Sequence, residues 1–374
     1  MPIQSHKHGF KYYCHKKQPG ERVKIDLLDN RVSLVLKGNV LAVLANAELT
    51  TVSGAIYNGG LTKTKAILNM EVPEEYGDRR LHDNPLAFVK SSAETLELKT
   101  DFLSLITAAK IKNFALASEE KDGIVVKVVA TAGCSHAESA GEEIDAQQVV
   151  GTINVIVLID AVPSESCLVA ALATAVEAKA SGMRELDIRS RYTGQQATGT
   201  ITDSLVVAAT NAGRIVNLAG PASLLGQLVA HSTKRAVKEA ITKQGESLPS
   251  RSIVNRMKER HLSNDLLAAE LSRIKTLNST KEEISLRLAN MICNDPLFGE
   301  FLLAAAKMDE EAAMGLVPQE FRKPEEFGIA LGSILLNKIP SQQRRSATAA
   351  EIDSVNLPAN VKQVLIAKLG ITGH

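Results

Sequence analysis

Tryptophan is absent and aromatic residues make up only 3% of the chain, so the interior has to be filled by Val, Ile, Leu and Ala. An excess of charge is missing too: 43 Lys and Arg face 42 Asp and Glu. A general nucleic-acid binder needs a basic surplus to neutralise phosphates, and this balance argues against that class and against an anionic membrane surface. No stretch approaches the roughly 18 uninterrupted apolar residues of a spanning helix. Residues 1–21 carry His6, Lys7, His8, Lys11, Lys16 and Lys17 without an apolar core segment, which reads as a basic tail rather than a secretory signal. Cys14, Cys134, Cys167 and Cys293 show no CxxC spacing. In a chain of this length they read as reduced thiols of a cytoplasmic protein. There is no GxSxG, HExxH or GxxxxGK[ST] motif, and Cys134 with His136 is too sparse a pair for a metal site.

What is present divides the chain in two. Arg31 to Lys37, Val40 to Ala45, Ile124 to Ala130, Asn154 to Ile159 and Ser204 to Ala209 are apolar or alternating runs with turn residues at their ends. They read as strands, the continuous ones buried on both faces by flanking helices. Ser164 to Met183 and Pro221 to Ala240 have helical spacing, with Ser164 as an N-cap and Leu168, Leu172, Ala175 and Val176 on one face. Residues 22–242 are therefore an α/β domain, a mixed sheet with flanking helices. Lys243 to Arg251 reads as a linker. Beyond it the strand pattern stops. Ile253 to Leu277, Lys281 to Ile292, Pro296 to Met308, Pro324 to Leu336 and Ala347 to Leu369 read as helices of a smaller all-helical domain over 252–374, broken at Pro318, Pro324, Gly332 and Pro340.

Short polar residues and glycines gather at the strand ends, in Thr51 to Gly60, Thr131 to Ala137, Gly151 to Asn154 and Ala197 to Asp203. Turn chemistry alone accounts for any one of these clusters. Together they suit an amide-rich ligand, because glycine lets the backbone approach and hydroxyls and amides supply donors and acceptors. Thr198, Thr200 and Thr202 alternate and put three hydroxyls on one strand face. Glu177 and Lys179 are two apart on a helix and do not face one another.

With these residues in place, the ordered series SGAIYNGG, Leu68-Asn69, Thr107-Ala108-Ala109, TAGCSHA, Gly151-Thr152-Ile153-Asn154, VEAK, Leu186-Asp187-Ile188-Arg189-Ser190 and ATGTITD resembles the adenosylcobinamide amidohydrolase family. The likeness runs from Arg22 to Glu239. The family pattern departs in three places. Val176 stands for Thr in TEAK, Ile201 for the central Gly of TGTGTD, and Ser135-His136-Ala137 for SNA. Ile201 adds bulk and disfavours a positive φ, so a changed substrate or weakened catalysis would follow if the site needs that glycine.

The resemblance implies hydrolysis of the amide between a corrin propionyl arm and aminopropanol, giving adenosylcobyric acid in corrinoid salvage. The corrinoid is then substrate and ligand, and bond cleavage needs no further cofactor. Amide hydrolysis calls for a nucleophile, a base, an oxyanion donor and an acid for the leaving amine. Asp203 is the candidate base, Thr152, Thr198, Thr200 or Thr202 the nucleophile or a substrate ligand, Asn154 with backbone N–H groups near Gly133 or Gly199 the oxyanion donors, and Lys179 or Glu177 the acid. Ser53, Asn58, Gly59, Gly60, Thr131, Gly133, Ser135, His136, Thr198, Gly199 and Thr202 are the expected substrate contacts. The strongest rival reading is a corrinoid-binding or sensing protein that has lost hydrolysis, and a second is an amidohydrolase for a different amide-bearing cofactor with a pocket reshaped by Ile201. In the helical tail, Met314, Leu316 and Leu335-Leu336 are apolar enough to cap the pocket, form a homo-oligomer or dock a partner, with core packing as the default.

Overall fold

The computed structural model describes residues 23–73, 84–94, 96, 98, 100–143, 151–245, 251–317 and 319–373. The expected basic tail, part of the linker and the break at Pro318 lie outside them. The described residues form two compact units.

The first unit takes in the described residues up to Cys134, those up to Gly182 from 151, and Thr200–Gln244. Its strands are β1 (Val23–Leu28), β2 (Val32–Lys37), β3 (Val40–Ser53), β4 (Gly60–Glu71), β5 (Phe102–Thr107), β6 (Ala115–Lys121), β7 (Ile124–Gly133), β8 (Thr152–Asp160) and β9 (Ser204–Ala209). They make one mixed nine-stranded sheet in the order β1-β2-β3-β9-β8-β7-β6, with β4 on the other edge of β3 and β5 beyond it. Only β8–β9 and β4–β5 are parallel within this sheet.

The long strand β3 is what bends the sheet. Its first half pairs with β2, its last residues with β9, and the register to β4 shifts between Leu44 and Leu49. A bulge of this kind turns a strand and increases local twist. The sheet curls far enough for the Asn154 amide on β8 to donate to the Ile106 carbonyl on β5, at 2.8 Å. Leu41, Val43, Leu103, Leu105, Val129, Ile156, Leu158 and Val206 pack together in the interior of that curl. Helix α1 (Pro85–Glu94) packs Phe88, Val89 and Ala93 on Val40, Ala42, Leu68 and Met70. Helix α3 (Leu224–Lys243) is capped by Ser223 and covers β6, β7 and β8. Between them in the chain runs α2 (Glu165–Glu185). The expected apolar face of α2 holds for Leu168 and Ala175, but Val176 is 44% exposed.

The second unit contains the described residues of 245–374 together with those of 135–143 and 183–199. Those last two segments had read as parts of the first domain. Its helices are α4 (Ile253–Glu259), α5 (Asn264–Leu271), α6 (Lys281–Asn294), α7 (Pro296–Ala313), α8 (Glu326–Leu336), α9 (Ala349–Asp353) and α10 (Ala359–Lys368). The single helix expected from Ile253 to Leu277 is broken, because His261 takes a left-handed conformation and Ser263 caps a new helix. Likewise Pro358 restarts the chain before α10. Gly332 does not break α8. It lets α8 approach α10, where an added Cβ would sit 3.0 Å from that of Ala367. Nor is the region wholly helical, since Arg345–Ala347 pairs in parallel with Ile371–Gly373.

Candidate active site

Sheet register brings several of the predicted residues to one rim of the first unit. Gly133, the last residue of β7, pairs with Thr152, the first of β8. Ser204 opens β9 opposite Asn154, and Ser53 at the end of β3 pairs with Val206 on one side and Gly60 on the other. The turn from Thr200 to Asp203 therefore enters the sheet beside Gly151 and Thr152.

Asp203 is the centre of this turn. Its Oδ1 accepts from the Ile153 N–H at 2.8 Å and from the Thr200 hydroxyl at 2.5 Å. Its Oδ2 accepts from the Thr200 N–H at 3.1 Å and from the Lys179 ammonium. The Lys179 and Asp203 side chains are only 8% and 9% exposed. A buried ion pair persists only where further hydrogen bonds satisfy it, and Asp203 collects them from three directions. Lys179 reaches it from α2, on the face opposite Glu177, which is exposed. Glu177 is thus not brought to the site.

Around this pair sit the threonines. Thr200 and Thr202 each place their Oγ1 near the Gly151 carbonyl, at 3.0 and 3.1 Å, and Thr202 is 2.7 Å from the Thr152 hydroxyl. Thr200 and Thr152 are buried whereas Thr202 is exposed. Ile201 has no positive φ, so the backbone at this position makes no demand for the glycine of the family pattern.

Asn154 is differently employed from what was expected. Its Nδ2 donates to Ile106 O and to Asn69 Oδ1, both at 2.8 Å, which uses both N–H groups and leaves none for an oxyanion. Asn69 in turn donates to the Thr131 hydroxyl at 2.9 Å. All three side chains are at most 2% exposed. They form a polar clamp across the curl, and Asn69 was not among the expected site residues. The available signal was an amide inside the apolar stretch AILNM, which burial makes costly unless it is paired.

Ser53, Asn58, Gly59 and Gly60 belong to the β3–β4 connection. The left-handed Asn58 and Gly60 and the Asn58 side-chain bond to Phe102 O, 2.8 Å, make the turn. A Cβ on Gly59 would lie 2.3 Å from the Ala55 carbonyl oxygen, so backbone approach demands glycine there. Ser53 is buried, and its hydroxyl accepts from Ala55 N at 3.4 Å.

Ser135, His136, Thr198 and Gly199 belong to the second unit. There the Thr198 hydroxyl accepts from Ala140 N at 2.9 Å, and the Ser135 carbonyl accepts from Arg191 at 3.3 Å. The Leu186–Ser190 motif lies in this unit too. Ser190 donates to Glu142 at 2.6 Å, and Asp187 accepts from Arg189, Arg256 and Arg260. Burial pushes the Asp187 carboxyl up, but Arg189 and Arg260 beside it outweigh this and hold it below the usual carboxylate range. Among the described residues, no helix is long and apolar enough to cross a membrane, and no group of three or more His, Cys, Asp or Glu gathers as for a metal ion.

An uncharacterized protein of Methanocaldococcus jannaschii is 30% identical over 206 residues, 50% of this chain and 80% of that one. The adenosylcobinamide amidohydrolase of Methanosarcina mazei is 24% identical over 223 residues, 57% of this chain and 96% of that one. Among solved structures, the PH0078 protein from Pyrococcus horikoshii OT3 overlaps with a TM-score of 0.30 at 11% identity, over 57% of this chain and 77% of that chain. The family model for adenosylcobinamide amidohydrolase matches residues 28–249, a span that includes the whole rim, and the chain belongs to that family.

Proposed function

We propose that this protein hydrolyses the amide between a corrin propionyl arm and aminopropanol, with Thr200, Asp203 and Lys179 as its catalytic core. The observation that supports this reading is the buried Lys179–Asp203 pair bonded to the Thr200 hydroxyl inside the family-matched segment.

The roles follow from the bonds. Asp203 takes the Thr200 proton as Oγ1 attacks the amide carbon. The C–N bond then breaks while the Lys179 ammonium protonates the departing amine. Asp203 returns its proton to Lys179, restoring the ion pair. Water next attacks the acyl-threonine, giving a proton to Asp203, which passes it to Thr200 as the carboxylic acid leaves. Because both Asn154 N–H groups are occupied, the oxyanion falls to backbone N–H groups of the Ile201–Thr202 turn. The corrinoid enters as substrate, and its cobalt takes no part.

The test is incubation of the purified protein with adenosylcobinamide and with an adenine-bearing cobamide, followed by mass spectrometry for adenosylcobyric acid. Product that vanishes in Asp203→Ala and Thr200→Ala supports the reading. A corrinoid spectrum that stays with the protein without product would replace it with the binding-protein alternative.

A further inference from the structure

One register row crosses the three central strands: Thr131 on β7 pairs with Asn154 on β8, and Asn154 pairs with Ser204 on β9. Directly paired residues project from the same sheet face. The neighbouring row toward the rim is Gly133 and Thr152. The row on the inner side, Val129, Ile156 and Val206, belongs to the apolar core of the curl. The polar row is therefore the floor of the rim, one layer below the exposed Thr202 and directly above hydrocarbon.

Among the described residues, two atoms of this row are buried without a partner, the Asn154 Oδ1 and the Ser204 hydroxyl. The orientation of the Asn154 amide is set by chemistry, because the Ile106 carbonyl can only accept and must face the nitrogen end. The orphan on Asn154 is thus an acceptor, while Ser204 carries a hydroxyl able to donate. Burying either group unpaired is unfavourable, and Thr131 in the same row is paired with Asn69.

We propose that Asn154 and Ser204 form a subsite for one carboxamide of the substrate: its N–H donates to Asn154 Oδ1 and its C=O accepts from Ser204. A carboxamide carries one donor and one acceptor side by side, which matches this pair. The subsite lies two residues along the strands from Thr152 and Thr202, so it positions substrate against the Thr200–Asp203 turn without taking part in bond cleavage. It rests on the amidohydrolase reading for the identity of the natural ligand, but an amide of any source tests it.

The experiment uses propionamide as the probe, with thermal unfolding of the full chain as readout, and adenosylcobinamide turnover in parallel. Wild type and Ser204→Thr gain melting temperature as propionamide rises, whereas Ser204→Ala does not. Without ligand, Ser204→Ala melts at or above the wild-type temperature, because it removes an unsatisfied hydroxyl. A supporting hydroxyl with a structural bond would instead be missed. In turnover, Ser204→Ala raises KM for adenosylcobinamide about tenfold with kcat nearly unchanged, and Ser204→Thr restores it. Equal propionamide shifts in wild type and Ser204→Ala, or none in either, overturn the subsite and leave a buried water as the partner of both atoms. Absence of corrinoid turnover in wild type, with the propionamide response intact, overturns the amidohydrolase reading alone.

Discussion

Lys179 Nζ is bonded to Asp203 Oδ2 in a pair where neither side chain is more than a tenth exposed. The lysine comes from the third turn or later of α2 and the aspartate from the turn before β9, so the pair ties a covering helix to the sheet rim. Removing one partner strands the other charge in a poorly solvated place. Asp203→Ala is expected to lose about 3–5 kcal/mol of stability, read by urea unfolding, together with turnover. The double variant Lys179→Met with Asp203→Leu should recover most of that stability and no activity. Recovery of activity in the double variant would show that the pair serves the fold only.

Thr200 is the hydroxyl that Asp203 holds at 2.5 Å. As the nucleophile it tolerates Ser but not Ala. Thr200→Ser is expected to keep turnover within about tenfold, and Thr200→Ala to lower kcat by roughly 10⁴ or more. Acid-quenched wild type, digested and weighed, should carry the corrin acyl group on the peptide containing Thr200. An acyl group on Thr152 or Thr202 would move the nucleophile to that residue.

Much of this was readable in the residues. The strands β8 and β9 were foreseen almost to their ends, because buried parallel neighbours leave a continuous apolar run. The strands β4 and β6 were not. Lys63 and Lys65 interrupt the first half of β4 and Asn69 its short apolar second half, and β6 is an edge strand whose SEEK end faces water, so neither shows a long apolar run. Polar density at strand ends and the family pattern both single out Asp203 and the threonines around it, while the choice between Lys179 and Glu177 stays open in the sequence. The employment of Asn154 was not foreseen, because its partners are Asn69 and the carbonyl of Ile106, far off in sequence and joined to it only by the curl. Glu177 and Lys179 illustrate the same limit, as helix geometry separated them but only packing decided which one is buried.

Two carboxyls of the helical unit shift in opposite directions, which gives a pH test with separate windows. Asp187 is held low despite its burial because arginines surround it. A group with a depressed folded pKa stabilises above its unfolded value of 3.8 and loses that contribution as pH falls through the folded value. Burial instead raises Asp309, more than the N–H groups of Asn360 and Val361 lower it. Its charge therefore weighs against folding above the raised value, and the penalty is relieved as pH falls toward 3.8. In urea titrations followed by helical circular dichroism, Asp187→Asn should flatten the loss of stability below about pH 4. Asp309→Asn should remove the gain just above it. The same response from both variants would contradict the assignment.

Gly328 sits where α8 crosses the start of α10. A Cβ there would lie 2.5 Å from the Cα of Asn360, and the Gly328 N–H donates to Asn360 Oδ1 at 2.6 Å. Backbone cannot yield as a flexible side chain does. Gly328→Ala is expected to destabilise the helical unit by about 1–3 kcal/mol or more, despite the better helix propensity of Ala. An unchanged or raised melting temperature would mean that α8 shifts freely along α10.

Ile201 is the sharpest departure from the family pattern, and the turn around it explains why it is tolerated. Every bond to Asp203 comes from Ile153, Lys179 or Thr200, and none from the Ile201 side chain. The backbone at 201 is not left-handed, so no strain is stored by the β-branched residue. Restoring glycine adds freedom to the unfolded chain without relieving anything in the folded one. Ile201→Gly is therefore expected to reduce stability by about 0.5–1 kcal/mol while kcat changes by no more than a few fold. Any larger effect should fall on KM, because the side chain makes no bond to the Asp203 carboxylate and its neighbour Thr202 is exposed. A rise in kcat of a hundredfold or more would show that Ile201 had blocked the turn, and that this chain has drifted from the catalysis of its family.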